Sequence, residues 1–414
     1  MTFQTVRGMR DLLPAEMRKK QFVIDRLRAA FEKYGFEPLQ TPALESLELL
    51  GAKGGAGEEI KREIYAFKDQ GDRDVGMRFD FTVPIARVVA GNPGLPKPFK
   101  RYQIGEVWRY DRPGAERWRE FTQADVDVFG VPGVAADFLC VQVAIDAMRA
   151  LGFKDFKVRL NNRSVLDAMM ETARVPPAKR LDAFRAIDKL DKLGWDGVRA
   201  ELKARGVPKI EELARLIQKN DLAGLEKTES GKRGLAELKE FLEMAENAGV
   251  KKFVDVDLSL VRGLEYYTGL VFEITAGGKT SCGAGGRYDK LIGLYGGQPT
   301  PATGISFGVD RLVTLMEKDG LFPPLGPPAM LVAAANDDVR AKAEQVALAL
   351  REKGVACETD LMGRSLRKQF DYANSRGITK ILIVGPKDLA EGMVTLRDMA
   401  TGKEERKKLA DLTK

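Results

Sequence analysis

The chain of 414 residues contains no histidine. Ordinary usage of roughly 2% would supply about nine, so the absence is a property of the sequence and not a sampling accident. No imidazole can act as general base, as partner to a nucleophilic Ser or Cys, or as metal ligand. That removes Ser–His and Cys–His mechanisms and most zinc sites. Cysteine is scarce too: Cys140, Cys282 and Cys357 are far apart, with no CxxC spacing. This argues against a disulfide framework or thiolate zinc site and suits a reducing, cytoplasmic setting. No apolar run reaches the roughly 18 uncharged residues of a membrane helix. The opening MTFQTVRGMRDLLPAEMRKK has no apolar core behind its charges, so no signal peptide is expected.

What is present describes a multidomain globular protein. Hydrophobic residues at 44% and charged residues at 31% exclude disorder as the main state, and the length implies two or three domains. A net charge of +7 and a pI near 9.1 permit nucleic-acid binding, and equally describe a solvated basic surface.

Pattern divides the chain. A helix is predicted from about Pro14 to Tyr34, with Phe22, Ile24, Leu27, Ala30 and Phe31 at helical spacing, Pro14 in its first turn and Gly35 at its stop. FEPLQTPALES reads as extended, IYAFKDQGDRDVGMRFDFTVPIARVVA as strand, turn, strand, helix. KRYQIGEVWRYDRPGAERWREFTQADVDVFG alternates polar and apolar residues on both sides of a loop, the pattern of a long antiparallel pair. Residues 164–248 are charged amphipathic helices punctuated by Pro176-Pro177, Gly194, Val207-Pro208 and Gly231. Strand chemistry returns after them, so the helical block reads as an insertion into a first domain formed by 1–163 and 249–321. The stretch 322–328 is a proline-rich linker, and 329–414 alternates strand and helix as a small α/β domain.

Four constellations carry chemistry. In GEVWRYDRPGAERWREFTQADVD, Arg109 lies at the end of one strand and Arg117 in the loop. Gln123, Asp125 and Asp127 follow at even spacing on the returning strand, hence on one sheet face. Arg and acid groups together suit a zwitterionic or phosphorylated ligand; a hairpin with surface ion pairs would show the same charges. In MRFDFTVPIAR, Asp80 and Thr82 are expected on one strand face, where an acid and a hydroxyl would capture an ammonium group, or where an edge strand simply stops at Pro84. LVRGLEYYTGLVFE and SCGAGGRYDKL hold Arg262, Tyr266, Tyr267 and Tyr288, and their glycines lack the βαβ context of a dinucleotide loop. GISFGVDRLVTLM places Arg311 at a helix start, a position that favours anions but that many core helices share.

Together, and in this order, these segments resemble the class II aminoacyl-tRNA synthetases, specifically the histidyl-tRNA synthetase family of the archaeal and eukaryotic type. The resemblance covers nearly the whole chain. It implies an α/β (α+β) fold: an antiparallel sheet flanked by helices, a helical insertion domain and a small C-terminal α/β anticodon-binding domain. By similarity to motif 2, Arg109 would grip the α-phosphate of ATP and Arg117 the γ-phosphate. Arg311 would be the motif 3 Arg, on adenine or the γ-phosphate. Asp80, Phe81 and Thr82 would lie in the segment that binds the amino acid, with Asp80 where bacterial members tend to carry Glu. Arg109, Gln123, Asp127, Arg262, Tyr266, Tyr267 and Tyr288 would complete the histidine site, with Arg109 and Arg262 as the catalytic pair. RGLEYYTG departs from the family only in Glu265, where Asp is more frequent. TPALESLELL, with Pro42, resembles motif 1, which builds the dimer interface.

The reaction so implied needs no imidazole. A carboxylate already ionised at neutral pH attacks the α-phosphorus of ATP, which calls for alignment and charge neutralisation and for no general base. ATP is a substrate, Mg²⁺ is expected to accompany its phosphates, and zinc is not expected. The partners implied are L-histidine, ATP, tRNA(His) and a second copy of the chain. Arg364, Arg367 and Lys368 on a basic C-terminal helix are available to RNA phosphates or to solvent. A chain without histidine is translatable while charged histidyl-tRNA is scarce; an engineered composition would account for the absence equally. The competing reading is the non-catalytic regulatory subunit of ATP phosphoribosyltransferase, which shares the catalytic-type domain but generally lacks the C-terminal domain and an intact RGLxYY-type motif.

Overall fold

The computed structural model describes residues 3–52, 62–112, 114, 117–262, 266–278, 280–327 and 330–413. Glu265 and its neighbours Gly263 and Leu264, and Pro328 at the end of the linker, lie outside the described residues. The chain divides into two compact units, Met1–Phe322 and Pro323–Lys414, with the proline-rich stretch at the division.

The first helix runs Pro14–Lys33. Pro14 needs no amide partner in the first turn, and the Glu16 carboxylate accepts the Leu13 N–H at 3.1 Å. Gly35 follows at φ +71°, a conformation only glycine adopts freely. The helix buries Val23, Leu27 and Phe31.

β1 (Glu37–Pro38), β2 (Leu44–Ser46), β3 (Ala66–Lys68) and β4 (Asp74–Met77) come next. The expected antiparallel pair is β5 (Phe99–Trp108) with β6 (Glu120–Phe129), Phe99 opposite Phe129 and Trp108 opposite Glu120. β7 (Phe156–Asn162), β8 (Val254–Val256), β9 (Leu270–Ala276), β10 (Thr280–Arg287) and β11 (Ala302–Gly308) follow. The large sheet has the order β1-β5-β6-β11-β10-β9-β7-β8 and a small one β2-β4-β3. Among the described residues, only β1–β5 and β7–β8 pair in parallel in the large sheet.

Alternation sorts the two faces of this sheet. Tyr102, Ile104, Ala124, Val126, Phe272, Ile274, Ile305 and Phe307 pack on the helices Pro14–Lys33 and Val134–Ala150. The other face carries the polar residues described below. The helices of the 164–248 block, among them Pro177–Ile187 and Glu229–Asn247, form the crossover between the parallel neighbours β7 and β8. Phe184, Val198, Leu213 and Phe241 from these helices join the same buried cluster as the sheet. Gly194, at φ +65°, breaks the helix Leu190–Ala204, as its place between helices suggests.

One local expectation fails. Asp80 and Thr82 do not share a strand face, because β4 ends at Met77 and Thr82 opens the helix Thr82–Gly91. Pro84 sits in the first turn, where an amide hydrogen has no intrahelical acceptor. The Asp80 carboxylate accepts from the backbone N–H of Thr82 at 3.1 Å and of Val83 at 3.4 Å. The acid therefore stabilises a helix start.

In the second unit β12 (Met330–Ala334), β13 (Cys357–Thr359), β14 (Lys380–Val384), β15 (Met393–Asp398) and β16 (Glu404–Lys408) form a sheet of order β13-β12-β14-β15-β16. The helices Arg340–Glu352 and Leu366–Arg376 fall where the alternation predicts. Short helices at Pro386–Ala390 and Leu409–Thr413 lie beyond that expectation.

Candidate active site

Over the polar face of the large sheet lies a cavity of about 510 Å³. Its floor is β6. Gln123, Asp125 and Asp127 all line it, as even spacing requires. Across the sheet, Asp127 is opposite Arg101 of β5 and Gly304 of β11, while Asp125 is opposite Gln103 and Ser306. Arg101 is fully buried and ion-pairs with Asp127. Burial pushes Asp125 up to about 8, with Arg101 opposing and Asp127 adding to the rise. Asp127 is raised too, by burial, against the pull of Arg101 and a hydrogen bond from Tyr288. One buried cation thus stands beside two mutually interacting acids at the cavity floor.

Four guanidinium groups reach the cavity. Arg109 follows β5 directly; its Nε donates to the Phe79 carbonyl at 2.9 Å and its head lies 5.3 Å from the Phe121 ring centre. Arg117, in the hairpin loop, pairs with Asp111 at 3.1 Å and is mostly exposed. Arg311 stands in the first turn of the helix Val309–Lys318 and donates to the Ser281 carbonyl at 2.6 Å. Arg262 is held from two sides, by Glu273 of β9 at 3.0 Å and by Asp188 of the helical block at 3.6 Å. Glu273 is buried and also takes Arg159 at 3.0 Å. Asp80 lines the same cavity; burial raises its carboxyl to about 6 and Arg109 pulls it down.

Aromatic hydroxyls close the inner end. Tyr266 and Tyr267 lie with ring centres 4.4 Å apart, and Tyr266 meets Tyr288 edge-on at 6.5 Å. The Tyr288 hydroxyl donates to Asp127. The glycines of GAGGR form no phosphate loop: they lie in β10, and a Cβ on Gly286 would come 3.0 Å from the Tyr267 ring and 2.7 Å from the Leu270 carbonyl. Glycine there makes room for the tyrosine.

Of the residues anticipated from sequence, Asp80, Thr82, Arg109, Arg117, Gln123, Asp127, Arg262, Tyr266, Tyr267, Tyr288 and Arg311 line the one cavity. Phe81 does not: it is fully buried, its ring 4.8 Å beneath the Arg78 guanidinium. Sequence reasoning missed Arg101, Glu273, Gly304 and Asp188, whose roles arise from cross-strand register and from packing. In the second unit, Arg364 is less available than expected, since it pairs with Asp360 at 3.0 Å and stacks on Tyr372 at 4.5 Å. Arg367 and Lys368 are exposed.

Residues 8–312 match the family model described as histidyl-tRNA synthetase, and residues 329–414 the one described as anticodon binding domain. The chain belongs to the histidyl-tRNA synthetase family. It is 38% identical to a histidine–tRNA ligase of Pyrococcus furiosus, covering 99% of this chain and 97% of that one. A histidine–tRNA ligase of Gloeobacter violaceus is 39% identical over 98% of this chain and 96% of the relative. Among solved structures, histidyl-tRNA synthetase of Nostoc sp. PCC 7120 superposes with a TM-score of 0.87 at 30% identity, covering 100% of this chain and 98% of that one. A Bacillus halodurans protein described as ATP phosphoribosyltransferase regulatory subunit/histidyl-tRNA synthetase gives 0.76 at 25% identity, covering 92% and 98%. This family member therefore carries its polar sheet face and both matched regions in one chain.

Proposed function

We propose that the protein activates L-histidine with ATP and transfers the histidyl group to the 3′ end of tRNA(His). The observation that carries this reading is the convergence of Arg109, Arg117, Arg262 and Arg311 over an acidic, tyrosine-lined floor. A carboxylate oxygen of histidine forms a bond to the α-phosphorus, the bond to the bridging oxygen breaks, and pyrophosphate leaves. The nucleophile is already an anion, so the residues need only align it and neutralise charge on the phosphoryl oxygens. Arg109 and Arg262 take that role; Arg117 and Arg311 hold the nucleotide's outer phosphates and adenine. Asp80 receives the ammonium group, whose positive charge favours the ionised carboxyl. Gln123, Asp127, Tyr266, Tyr267 and Tyr288 shape the side-chain end. In the second step the terminal ribose hydroxyl of the tRNA attacks the acyl carbon, the bond from that carbon to the phosphate oxygen breaks and AMP leaves, and a phosphate oxygen of the adenylate accepts the hydroxyl proton.

Mg²⁺ would arrive with the nucleotide, coordinated by phosphate oxygens and water. Among the described residues no group of three or more His, Cys, Asp or Glu could hold a metal ion, so we assign it no protein ligand and route no step through it. The anticodon would meet the second unit. Residues 164–248 remain our helical insertion domain, between catalytic segments 1–163 and 249–321. Leu44 and Phe67, exposed on the small sheet beside the motif 1 stretch, support a homodimer contact there. No described helix is long and apolar enough to cross a membrane, and we place the protein in the cytoplasm.

The regulatory-subunit reading is disfavoured by the C-terminal unit and by Arg262, Tyr266 and Tyr267 in the cavity. Charging of a tRNA(His) transcript with labelled histidine and ATP tests the proposal. We expect ATP-dependent histidyl-tRNA; a folded protein that forms none with active transcript would favour the regulatory reading.

A further inference from the structure

Among the described residues Arg101 is the largest side chain sealed completely from solvent, and it does not line the cavity. Among the described residues its guanidinium has Asp127 as its one ion-pair partner and no hydrogen-bond partner beyond it. Burying an ion pair carries a large desolvation cost, and an apolar pair of similar volume in place of both Arg101 and Asp127 is often neutral or stabilising. Stability does not account for the pair. Asp127 is meanwhile constrained from three directions. Arg101 lies opposite it on β5, Tyr288 donates to its Oδ1, and on β11 the neighbour is Gly304. A Cβ on Gly304 would fall 1.9 Å from Asp127 Oδ1, so the carboxylate occupies space that only glycine leaves open.

We propose that Arg101 is a positioning residue for amino-acid specificity: it holds Asp127 ionised and aimed at the inner end of the cavity, where Asp127 accepts an imidazole N–H of the bound histidine. This rests on the reading of the cavity as a histidine site. Without the guanidinium, burial would push the Asp127 carboxyl further up, weakening it as an acceptor for a ring N–H. The ionisable groups facing Asp127 are Arg101, Asp125, Tyr288, Tyr267, Asp80 and Cys140. Among them Arg101 alone is cationic, so no other neighbour can replace its effect. Loss of Arg101 raises the Asp127 pKa further, and the acid limb of histidine binding moves to higher pH.

The test is calorimetric binding of histidine and, separately, of ATP from about pH 6 to about pH 9. It compares the wild type with R101M, R101K, D127N and R101M/D127N. We expect R101M to weaken histidine binding by roughly tenfold to a hundredfold, to shift its acid limb upward and to leave ATP affinity unchanged. In the D127N background the same change should cost less than about threefold, because the residue it acts through is already neutral. R101K, which keeps the charge but not the fork, should lose part of the affinity with the limb in place. R101M with wild-type histidine affinity and pH profile overturns the proposal, as does full additivity in the double variant. Should R101M not fold, R101K decides: a selective loss for histidine supports positioning, and equal losses for histidine and ATP contradict it. A wild type that binds ATP but no histidine overturns the reading of the site itself, and is distinguishable because no variant is involved.

Discussion

The two faces of the large sheet are made from alternate residues of the same strands, yet they are built to opposite rules. On one, Tyr102, Val126, Phe272, Ile305 and Phe307 bury hydrocarbon against helices. Their contribution is non-directional and grows with area. On the other, Arg101, Gln123, Asp125, Asp127 and Glu273 place charge and amides where water is scarce. Each group there has a desolvation cost that only a specific partner offsets. The difference separates what folds the molecule from what it does: the hydrocarbon face stabilises, and the polar face exists at the expense of stability.

Substitutions on each face should break that contrast in different observables. The largest expected effect is on the hydrocarbon face, where Phe307→Ala empties a fully buried site. It should lower stability by about 3–5 kcal/mol, measured by denaturant unfolding, while the folded fraction binds histidine as the wild type does. Arg109→Ala should do the reverse, leaving the unfolding midpoint in place while histidine-dependent ATP–pyrophosphate exchange falls by roughly 10²–10³. Asp125→Asn sharpens the comparison through pH. Asp125 is held protonated up to about 8 in the folded protein, whereas the unfolded chain releases that proton near the ordinary carboxylate range. The folded state therefore binds more protons, and this residue's contribution to stability declines as pH rises between those two values. Unfolding curves across that window should show a smaller decline in the Asn variant. The smallest effect belongs to the second unit. Arg367→Ala and Lys368→Ala should each reduce the salt slope of tRNA binding by about 1 without changing exchange.

How much of this was legible follows from which residues had to be seen together. The β5–β6 pair, the shared face of Gln123, Asp125 and Asp127, and Arg311 at a helix start were readable, since each depends on period or on a motif within one segment. Asp80 and Thr82 were misplaced because MRFDF reads as strand chemistry. Pro84 does not decide between the two, since it suits a helix's first turn as well as a strand's end. Adjacency alone groups Phe81 with Asp80 and Thr82, although a helix start turns its ring away from the cavity. Arg101 is invisible as a functional residue: KRYQIG looks like the wet end of a strand, and only cross-strand register places it beside Asp127. Gly304 and Asp127 are far apart in sequence and meet by the same means. Asp188 reaches Arg262 from the helical block, a contact no local pattern encodes.

The most direct test of the account is ATP–pyrophosphate exchange on the purified protein with each of the twenty amino acids in turn. Exchange with histidine and with no other amino acid is the result expected of a polar sheet face built to activate it. Exchange with a different amino acid, or none from a folded sample, would contradict the account.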